Sequence, residues 1–357
     1  MMNTKHLPGY TIGRAEVYEM MRAVCGGCGD KIVIIGGKIG IAACEDMIRK
    51  AGEAQGFQFT GTVYYGGESA EEYMKRLTEM PEVQAADMVF AVGGGKVIDT
   101  AKGAADMLDK PVFTFPTIAS TCADVSAVSV LYTTDHVNTG VMDLKRPPVH
   151  AFINMDIIAS APIKYIWAGM GDTIAKGYEP RFTTRGLAVN YENQVGLQLS
   201  PMCAEAVLAC GEEAYRDCLA GTVTTAVEEA ALHVLVTTGL VSNFLDSPYN
   251  GSIGHAVGYG LAEKSKAAEH PLHGAVVSYG VLILLAVDKQ EEAFAKTWKF
   301  MKAIGLPVSI KEVQVEEADI DFIIDKALHS YDMEIVPYEV SAERMKEAFR
   351  YVESYQG

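Results

Sequence analysis

A change in the hydrophobic pattern near residue 162 constrains the fold of this chain more than any other feature. Before it, short β-branched apolar runs alternate with longer amphipathic stretches, and after it long Ala- and Leu-rich segments show helical spacing. The first pattern is typical of a parallel sheet covered by helices, and the second is typical of helices alone. We therefore predict an α/β domain over residues 1–162 and an all-helical domain over residues 163–357.

Individual elements follow from the same patterns. The predicted strands of the first domain are residues 31–35, 58–65, 88–92 and 111–115, and its predicted helices are 42–54, 71–80 and 97–108. The predicted helices of the second domain are 202–220, 223–245, 291–304, 319–328 and 342–352.

The composition is that of an ordinary globular protein, with 49% hydrophobic and 21% charged residues in a chain long enough for two cores. A formal net charge of −16 without a Lys/Arg-rich run disfavours nucleic acid and indicates small-molecule partners. The amino terminus lacks the apolar core of a secretory signal, and no apolar run reaches roughly 18–20 residues. We therefore expect a cytoplasmic protein that does not contact membranes.

The seven cysteines are an odd number in a chain of this size, which favours reduced thiols over a disulfide framework. Cys25 and Cys28 form the single CxxC motif. Because no second CxxC completes a four-cysteine zinc site, we interpret the motif as a glycine-rich turn before a strand.

A glycine-rich turn follows the predicted strand 88–92. Gly93, Gly94 and Gly95 precede Lys96 at the start of a predicted helix, where unhindered backbone N–H groups favour a phosphate. The turn lies at the carboxyl end of a parallel strand, where such sheets bind ligands. We therefore predict a pyrophosphate site, although a turn with a solvated lysine is the alternative that the motif alone leaves open.

Three side chains in the second half have the chemistry of metal ligands. Asp172 lies in AGMGD, His255 in GSIGHAVG and His273 in HPLHG, each among small residues. Carboxylate oxygen and imidazole nitrogen bind zinc or iron. Linear spacing cannot bring these residues together, so only a fold can make them one site.

Seven motifs in one order resemble the glycerol dehydrogenases within the iron-type, metal-dependent alcohol dehydrogenases. They are GGGKVIDTAK (93–102), PTIAST (116–121), SAVSVLY (126–132), INMDIIASAP (153–162), AGMGD (168–172), GHAVGYGL (254–261) and HGAVVSYG (273–280). The resemblance implies a Rossmann-like dinucleotide-binding domain and a helical metal-binding and substrate domain, with the site in a cleft between them. Dehydroquinate synthase shares this architecture.

The resemblance also implies roles for individual residues. The family's metal ligands fall on Asp172, His255 and His273, which would hold one divalent ion, zinc or iron. Its cofactor contacts fall on Gly94, Gly95, Lys96, Asp99, Thr117, Ser120, Ser126, Val128 and Tyr132. The expected reaction is hydride transfer between NAD or NADP and a small alcohol whose hydroxyl the ion acidifies. The family further implies a homo-oligomer.

The substrate loop departs from the glycerol dehydrogenase pattern at one position. Those enzymes have an aspartate that approaches the substrate hydroxyls where this chain has Cys122. A neutral thiol accepts hydrogen bonds poorly and does not repel a carboxylate. The TCA sequence at 121–123 also resembles the hydroxycarboxylate dehydrogenase branch, so we expect Cys122 to favour a small 2-oxo or 2-hydroxy acid. Asp124 is an alternative partner for a polyol.

The glycine turn after the first predicted strand, residues 31–35, also departs from the pattern of the family. NAD-specific relatives have an acid at the position of Gly37, where a carboxylate binds the ribose 2′-OH and repels a 2′-phosphate. Here the acid is absent and Lys38 is adjacent. NADP is therefore slightly favoured over NAD, unless the turn has no cofactor preference.

Four alternatives stay open. Glycerol or another vicinal diol, oxidised with NAD, is the second candidate substrate. A lyase like dehydroquinate synthase fits less well, because only Lys264 and Lys266 are basic near the two histidine motifs. A nucleotide-binding scaffold without catalysis is disfavoured by the retained ligand set. His270, three residues before His273, is a candidate proton relay or supporting group for the metal.

Overall fold

The computed structural model of the protein describes residues 7–267 and 271–357. The chain forms two compact units, of which the first ends at Pro162 and the second begins at Ile163. The first unit is a six-stranded parallel sheet with helices, and the second contains helices but no strand among its described residues. The predicted fold class is confirmed.

The first unit contains eight strands among its described residues: β1 (Gly9–Gly13), β2 (Lys31–Gly36), β3 (Gln58–Tyr64), β4 (Met88–Gly93), β5 (Val112–Pro116), β6 (Val128–Tyr132), β7 (Asn138–Asp143) and β8 (His150–Asn154). Its helices are α1 (Met21–Cys25), α2 (Lys38–Ala54), α3 (Glu71–Thr78), α4 (Pro81–Ala85), α5 (Gly95–Met107) and α6 (Met155–Ser160). Short 3₁₀ turns span Ala15–Met20 and Gly26–Cys28.

The described part of the second unit contains α7 (Lys164–Thr183), α8 (Tyr191–Leu219), α9 (Thr225–Leu232), α10 (Thr238–Phe244), α11 (Ile253–Lys264), α12 (His273–Val287), α13 (Glu291–Ile304), α14 (Ile320–Leu328) and α15 (Ala342–Ser354). A π-helical turn, His233–Thr237, joins α9 to α10. Among the residues described, no helix is both long enough and apolar enough to span a membrane.

The strand order of the large sheet fixes where a ligand can bind. The order is β1-β8-β5-β4-β2-β3, and all neighbours are parallel. The chain therefore moves outward from β2 to β3 and returns to the other side at β4. This reversal opens a crevice beyond the carboxyl ends of β2 and β4, the usual ligand position in such sheets.

Each face of the sheet has its own apolar core, because alternate residues of a strand point to opposite faces. One core contains the fully buried side chains of Ile32 and Ile34 of β2 and Phe90 of β4. Tyr18 of the first 3₁₀ turn and Ile48 of α2 pack in the same core. Val33, Ile35, Val89 and Ala91 occupy the other core, together with Met74 of α3 and Ile98 of α5. Strands buried on both faces explain the continuous apolar runs in the sequence.

Three β elements of the first unit were not predicted. The edge strand β1, the strand β8 and the antiparallel hairpin of β6 and β7 were missed, because short or half-polar strands give little apolar periodicity. The predicted helix at 223–245 contains the π-helical turn. The predicted helix at 202–220 begins earlier, at Tyr191, because the helix continues through Pro201. Proline removes one backbone hydrogen bond, so sequence patterns place a helix end there.

Candidate metal and cofactor sites

Glycines bring three helices of the second unit into backbone contact. A Cβ atom on Gly274 of α12 would lie 1.8 Å from the carbonyl oxygen of Ala168 on α7. A Cβ atom on Gly280 of α12 would lie 2.2 Å from the carbonyl oxygen of Gly254 on α11. Only glycine permits these approaches, which place α7, α11 and α12 side by side.

The three predicted metal ligands meet where these helices approach. Asp172 lies on α7, His255 on α11, and His273 is the first residue of α12. One donor atom from each lies within 4.8 Å of the other two. Oδ1 of Asp172 is 3.6 Å from Nε2 of His255 and 3.5 Å from Nε2 of His273. The tertiary structure thus assembles a set that is spread over about one hundred residues of sequence.

The geometry of this set fits a divalent cation. Oδ1 of Asp172 is buried and has no hydrogen-bond partner among residues 7–267 and 271–357. Two ligand atoms at about 2.0–2.2 Å from one tetrahedral ion lie roughly 3.3–3.5 Å apart, close to the observed O–N separations. One carboxylate and two imidazoles accept either zinc or iron.

A fourth residue, Glu179, supports the set and was not predicted. It lies seven residues, about two turns, after Asp172 on α7 and is fully buried. Its Oε2 is 2.5 Å from Nδ1 of His255, and its Oε1 accepts the backbone N–H groups of Ser252 and His255 at 2.9 Å. With Nδ1–H donated to Glu179, Nε2 of His255 keeps its lone pair for an ion. The seven-residue spacing of two acids on one helix face is the signal that could have revealed it.

The two histidines differ in their electrostatics. Burial alone would lower the pKa of His255, but the negative charge and hydrogen bond of Glu179 and the charge of Asp172 raise it to about 9. Burial lowers the pKa of His273, and the charge of Asp172 opposes this effect. A cation that binds at Nε2 of His255 therefore replaces a proton, whereas His273 offers a neutral nitrogen.

The predicted pyrophosphate site forms the start of α5. Gly94 precedes the helix, which runs for 13 residues from Gly95. A Cβ atom on Gly94 would lie 2.4 Å from Cδ1 of Ile118, and one on Gly95 would lie 2.7 Å from Oγ1 of Thr121. The loop that carries the predicted residues Thr117 and Ser120 therefore packs directly against the glycine turn, and the N–H of Thr117 donates to the carbonyl of Gly93 at 3.0 Å.

A second helix begins beside this turn. Gly37 precedes α2, and its N–H donates to the carbonyl of Val92 in β4. A Cβ atom on Gly37 would lie 3.1 Å from Cγ2 of Val97 in α5. Lys38 is exposed, with Nζ 5.4 Å from the centre of the Tyr64 ring. The amino termini of two helices thus converge at the β2–β4 crevice, where their dipoles favour an anion.

Two predicted cofactor residues have protein partners. Nζ of Lys96 lies 2.6 Å from Oε2 of Glu68 and 4.9 Å from the centre of the Tyr132 ring. Asp99 is buried; it pairs with Lys102 at 2.9 Å and accepts the N–H of Val130 at 3.2 Å. Asp99 therefore connects α5 to β6, and a direct cofactor contact by this residue stays a prediction.

A buried lysine organises the loop between β5 and β6. Nζ of Lys102, 2% exposed, donates to the carbonyls of Ala123, Ser126 and Val128 at 2.8, 3.1 and 2.6 Å. Ser126 and Val128, both predicted to contact the cofactor, are held through their backbones in this way. Sequence reasoning missed Lys102, because lysine is rarely buried and nothing local marks it.

The two candidate substrate residues of this loop lie in different surroundings. Cys122 is half-buried, and its carbonyl accepts the N–H groups of Val125 and Ser126. Asp124 is 2% exposed, and burial raises its pKa to about 8 while the charge of Lys102 opposes the shift. Burial beside Lys102 argues against Asp124 as a partner for a substrate.

The remaining candidates are His270 and the two cysteines of the CxxC motif. His270 is outside the described residues. Cys25 is buried and Cys28 is half-buried, and burial raises the pKa of both thiols. No disulfide is formed by any cysteine in the described part of the chain.

Comparisons with known proteins cover both units. A family model described as iron-containing alcohol dehydrogenase matches residues 8–155. The glycerol dehydrogenase of Thermotoga maritima is 32% identical over 271 residues, 74% of this chain and 73% of that protein. Hydroxycarboxylate dehydrogenase A of Escherichia coli is 28% identical over 338 residues, 91% and 90% of the two chains. The solved structure of glycerol dehydrogenase from Schizosaccharomyces pombe, 21% identical, matches with a TM-score of 0.86 over 99% of this chain and 91% of its own.

Proposed function

The chain belongs to the iron-containing alcohol dehydrogenase family as a glycerol dehydrogenase-like member, and from this premise we propose a substrate, a cofactor preference and a role for each site residue. The predicted resemblance is confirmed. The protein is a metal-dependent, NAD(P)-linked oxidoreductase of alcohols or hydroxy acids. We propose that it interconverts a small 2-hydroxy acid and its 2-oxo acid.

The convergence of Asp172, His255 and His273 is the observation that carries the proposed chemistry. When bound there, a divalent cation would polarise the substrate oxygen that loses or gains a proton. Asp172 would supply the negative charge of the set. Glu179 would fix the ring of His255 and hold the proton on its Nδ1.

The helix starts at Gly37 and Gly95 support the assignment of the first unit to the dinucleotide. The first-turn N–H groups and the dipoles of α2 and α5 would hold the pyrophosphate, and Lys96 would add a positive charge. Because residue 37 is a glycine and Lys38 is exposed, we propose that a ribose 2′-phosphate is accepted and that NADP is slightly preferred over NAD. By the family resemblance we also propose a homo-oligomer.

The substrate proposal rests on Cys122. A thiol in the middle of the loop between β5 and β6 neither repels a carboxylate nor anchors a polyol hydroxyl as an aspartate would. Among the relatives, hydroxycarboxylate dehydrogenase A bears the name of an enzyme that acts on such acids. Glycerol or another vicinal diol, used with NAD, is the second candidate, because several relatives are named glycerol dehydrogenases.

A matrix of substrates and cofactors on zinc- or iron-loaded protein tests this function. We expect turnover of 2-oxobutyrate with NADPH to exceed oxidation of glycerol with NAD⁺. Cys122→Asp should shift the ratio of kcat/KM towards glycerol by at least about tenfold, an electrostatic and hydrogen-bonding effect of roughly 1.4 kcal/mol. Cys122→Ser, which adds no charge, is the matched control.

Distinct results would refute distinct parts of the proposal. Activity with glycerol alone would contradict the role of Cys122 and favour the second candidate. Unchanged turnover in Asp172→Ala would contradict the metal set as the place of the chemistry.

A further inference from the structure

A buried carboxylate joins two basic side chains beside the predicted pyrophosphate site. Glu68 lies between β3 and α3, and its side chain is 1% exposed. Its Oε2 is 2.6 Å from Nζ of Lys96 and 2.5 Å from Nδ1 of His136, while its Oε1 accepts the N–H of Ser69. Nothing in the sequence marks this cluster, because its members are separated by 28 and 40 residues along the chain.

His136 reaches this carboxylate from the tip of the β6–β7 hairpin. Thr133 and Val137 close the turn with a 2.8 Å backbone hydrogen bond, and His136 has a φ of 67°. That left-handed conformation is unfavourable for a non-glycine residue. The side chain is 69% exposed, yet it turns inward to place Nδ1 on the buried carboxylate. The hairpin is tied at a second point, where the N–H of Tyr132 donates to the carbonyl of Ser69 at 2.8 Å.

The partners of Glu68 favour its ionised form. Burial alone would raise the pKa of Glu68, but hydrogen bonds from Lys96, His136 and the N–H of Ser69 hold it below its ordinary value. A charge buried in this way is costly unless it remains paired. Glu68 therefore requires both partners, which belong to two different elements, α5 and the hairpin.

Both partners keep polar atoms that Glu68 does not use. A lysine ammonium has three N–H donors, and an imidazole bound through Nδ1 has its Nε2 left over. The side chain of Lys96 is 49% exposed and belongs to the first turn of α5, where the backbone N–H groups are unpaired within the helix. An anion at this helix start would therefore meet the ammonium of Lys96 and an imidazole close beside it.

We propose that Glu68 is a positioning residue for the cofactor: it aligns Lys96 and fastens His136 of the hairpin tip, so that the two together receive the dinucleotide pyrophosphate. This inference rests on the proposed function of the α5 amino terminus as the pyrophosphate site. Its energetic basis is preorganisation, since a cation held in place before binding loses less side-chain freedom when the phosphate arrives.

Direct binding of NADPH and NADH to the metal-free protein tests the inference, with reduced-nicotinamide fluorescence as the readout. Glu68→Gln should weaken binding about tenfold. His136→Asn should do the same, because asparagine tolerates the left-handed backbone but is too short to span the link. The double variant should bind about as weakly as either single variant, because both changes break one linkage. Glu71→Gln, which breaks the exposed pair with Lys75, is the matched control and should bind normally.

Steady-state kinetics on metal-loaded protein provide the second readout. The KM for cofactor should rise in Glu68→Gln and His136→Asn, with little loss of kcat at saturation. Unchanged or tighter binding in Glu68→Gln would overturn the inference, because Glu68 would then be neutral or a competitor for Lys96. Additive losses in the double variant would also overturn it.

Lys96→Met separates this inference from the proposed function. If Lys96→Met weakens binding while the Glu68 and His136 variants bind normally, the positioning role fails and the pyrophosphate site stands. If Lys96→Met binds normally, or the unmodified protein binds neither cofactor, the pyrophosphate assignment itself fails. Circular dichroism melts would show that each variant is folded.

Discussion

Glu179→Gln tests how the protein prepares His255 for a cation. The glutamine oxygen can still accept the backbone N–H groups of Ser252 and His255, which lie 2.9 Å from Oε1 in the native protein. Its amide nitrogen, however, would face Nδ1 of His255, where the native carboxylate accepts a proton at 2.5 Å. Two donors cannot share that position, so the imidazole proton must move to Nε2. A protonated Nε2 has no lone pair for the ion.

The expected size of the effect follows from this tautomer change. Loss of the group that orients a metal-bound histidine weakens metal affinity by about 10–100-fold, or roughly 1.4–2.8 kcal/mol. We expect the dissociation constant for zinc, measured by competition with a chromophoric chelator, to rise by that factor. Loss of a hydrogen bond to a buried charge should also lower the free energy of unfolding of the metal-free protein by about 1.5–3 kcal/mol.

Asp288→Asn is the matched control for this experiment. Asp288 is a buried carboxylate of the second unit whose partners are Arg185, Tyr338 and Gln290 rather than a predicted ligand. It should lose a similar amount of stability and retain its zinc affinity. If folded Glu179→Gln bound zinc as tightly as the unmodified protein, the tautomer argument would be refuted.

Two further substitutions address packing and pH dependence. Gly274→Ala should destabilise the protein by at least about 3 kcal/mol in urea unfolding and reduce bound metal, because its Cβ atom would lie 1.8 Å from the carbonyl of Ala168. Asp124→Asn should change how stability depends on pH. The folded-state pKa of Asp124 is about 8, against roughly 4 in an unfolded chain, so between these values the folded state holds the extra proton. The free energy of unfolding therefore contains a contribution that falls as pH rises from about 4 to 8. Between pH 5 and pH 8, the free energy of unfolding measured in urea titrations should fall less in Asp124→Asn than in the native protein. Lys102 and Asp99 remain beside residue 124 in both proteins.

The predictions for Gly274→Ala and Asp124→Asn each have a control variant and a result that would contradict them. Gly27→Ala places a Cβ atom in open space and should leave unfolding unchanged. A Gly274→Ala protein of native stability would show that α7 and α12 can separate without cost. Asp46→Asn changes an exposed carboxylate of α2 and should keep the native pH profile. The same pH profile in Asp124→Asn would contradict the buried, protonated state of Asp124.

The sequence predicted helices and strands most accurately where a single physical cause, such as apolar spacing or burial on both faces, determines the element. Glu291–Ile304 has the bounds predicted from the sequence, because an amphipathic helix on the surface follows its apolar spacing alone. The central strands β2 and β4 were found because burial on both faces makes them continuously apolar. The β6–β7 hairpin was missed, since its apolar residues Leu131 and Met142 are only partly buried against the core, while Asp99, Lys102 and Glu68 hold its backbone and its tip.

The residues of the candidate sites also differ in whether the sequence reveals them. Asp172, His255 and His273 could be named from motifs in a family resemblance, because their neighbours along the chain are distinctive. Glu179 and Glu68 could not, because each acts through a partner that is distant in sequence. A glutamate that will orient a ligand looks the same in sequence as one that will face solvent.

The sequence by itself determined the order of the central strands β2 to β5 with the helices between them, the glycine turns at the ends of β2 and β4, and the identities of the three candidate ligand side chains. Those features depend on local periodicity and on residue chemistry, which a linear chain displays directly. Only the tertiary structure decided that the ligand atoms meet, that Glu179 holds His255, and that Glu68 joins α5 to the hairpin. The first two of these contacts depend on which helices can approach closely, and the backbone contacts at Gly274 and Gly280 set that approach. The third depends on the hairpin tip, which brings His136 to Glu68.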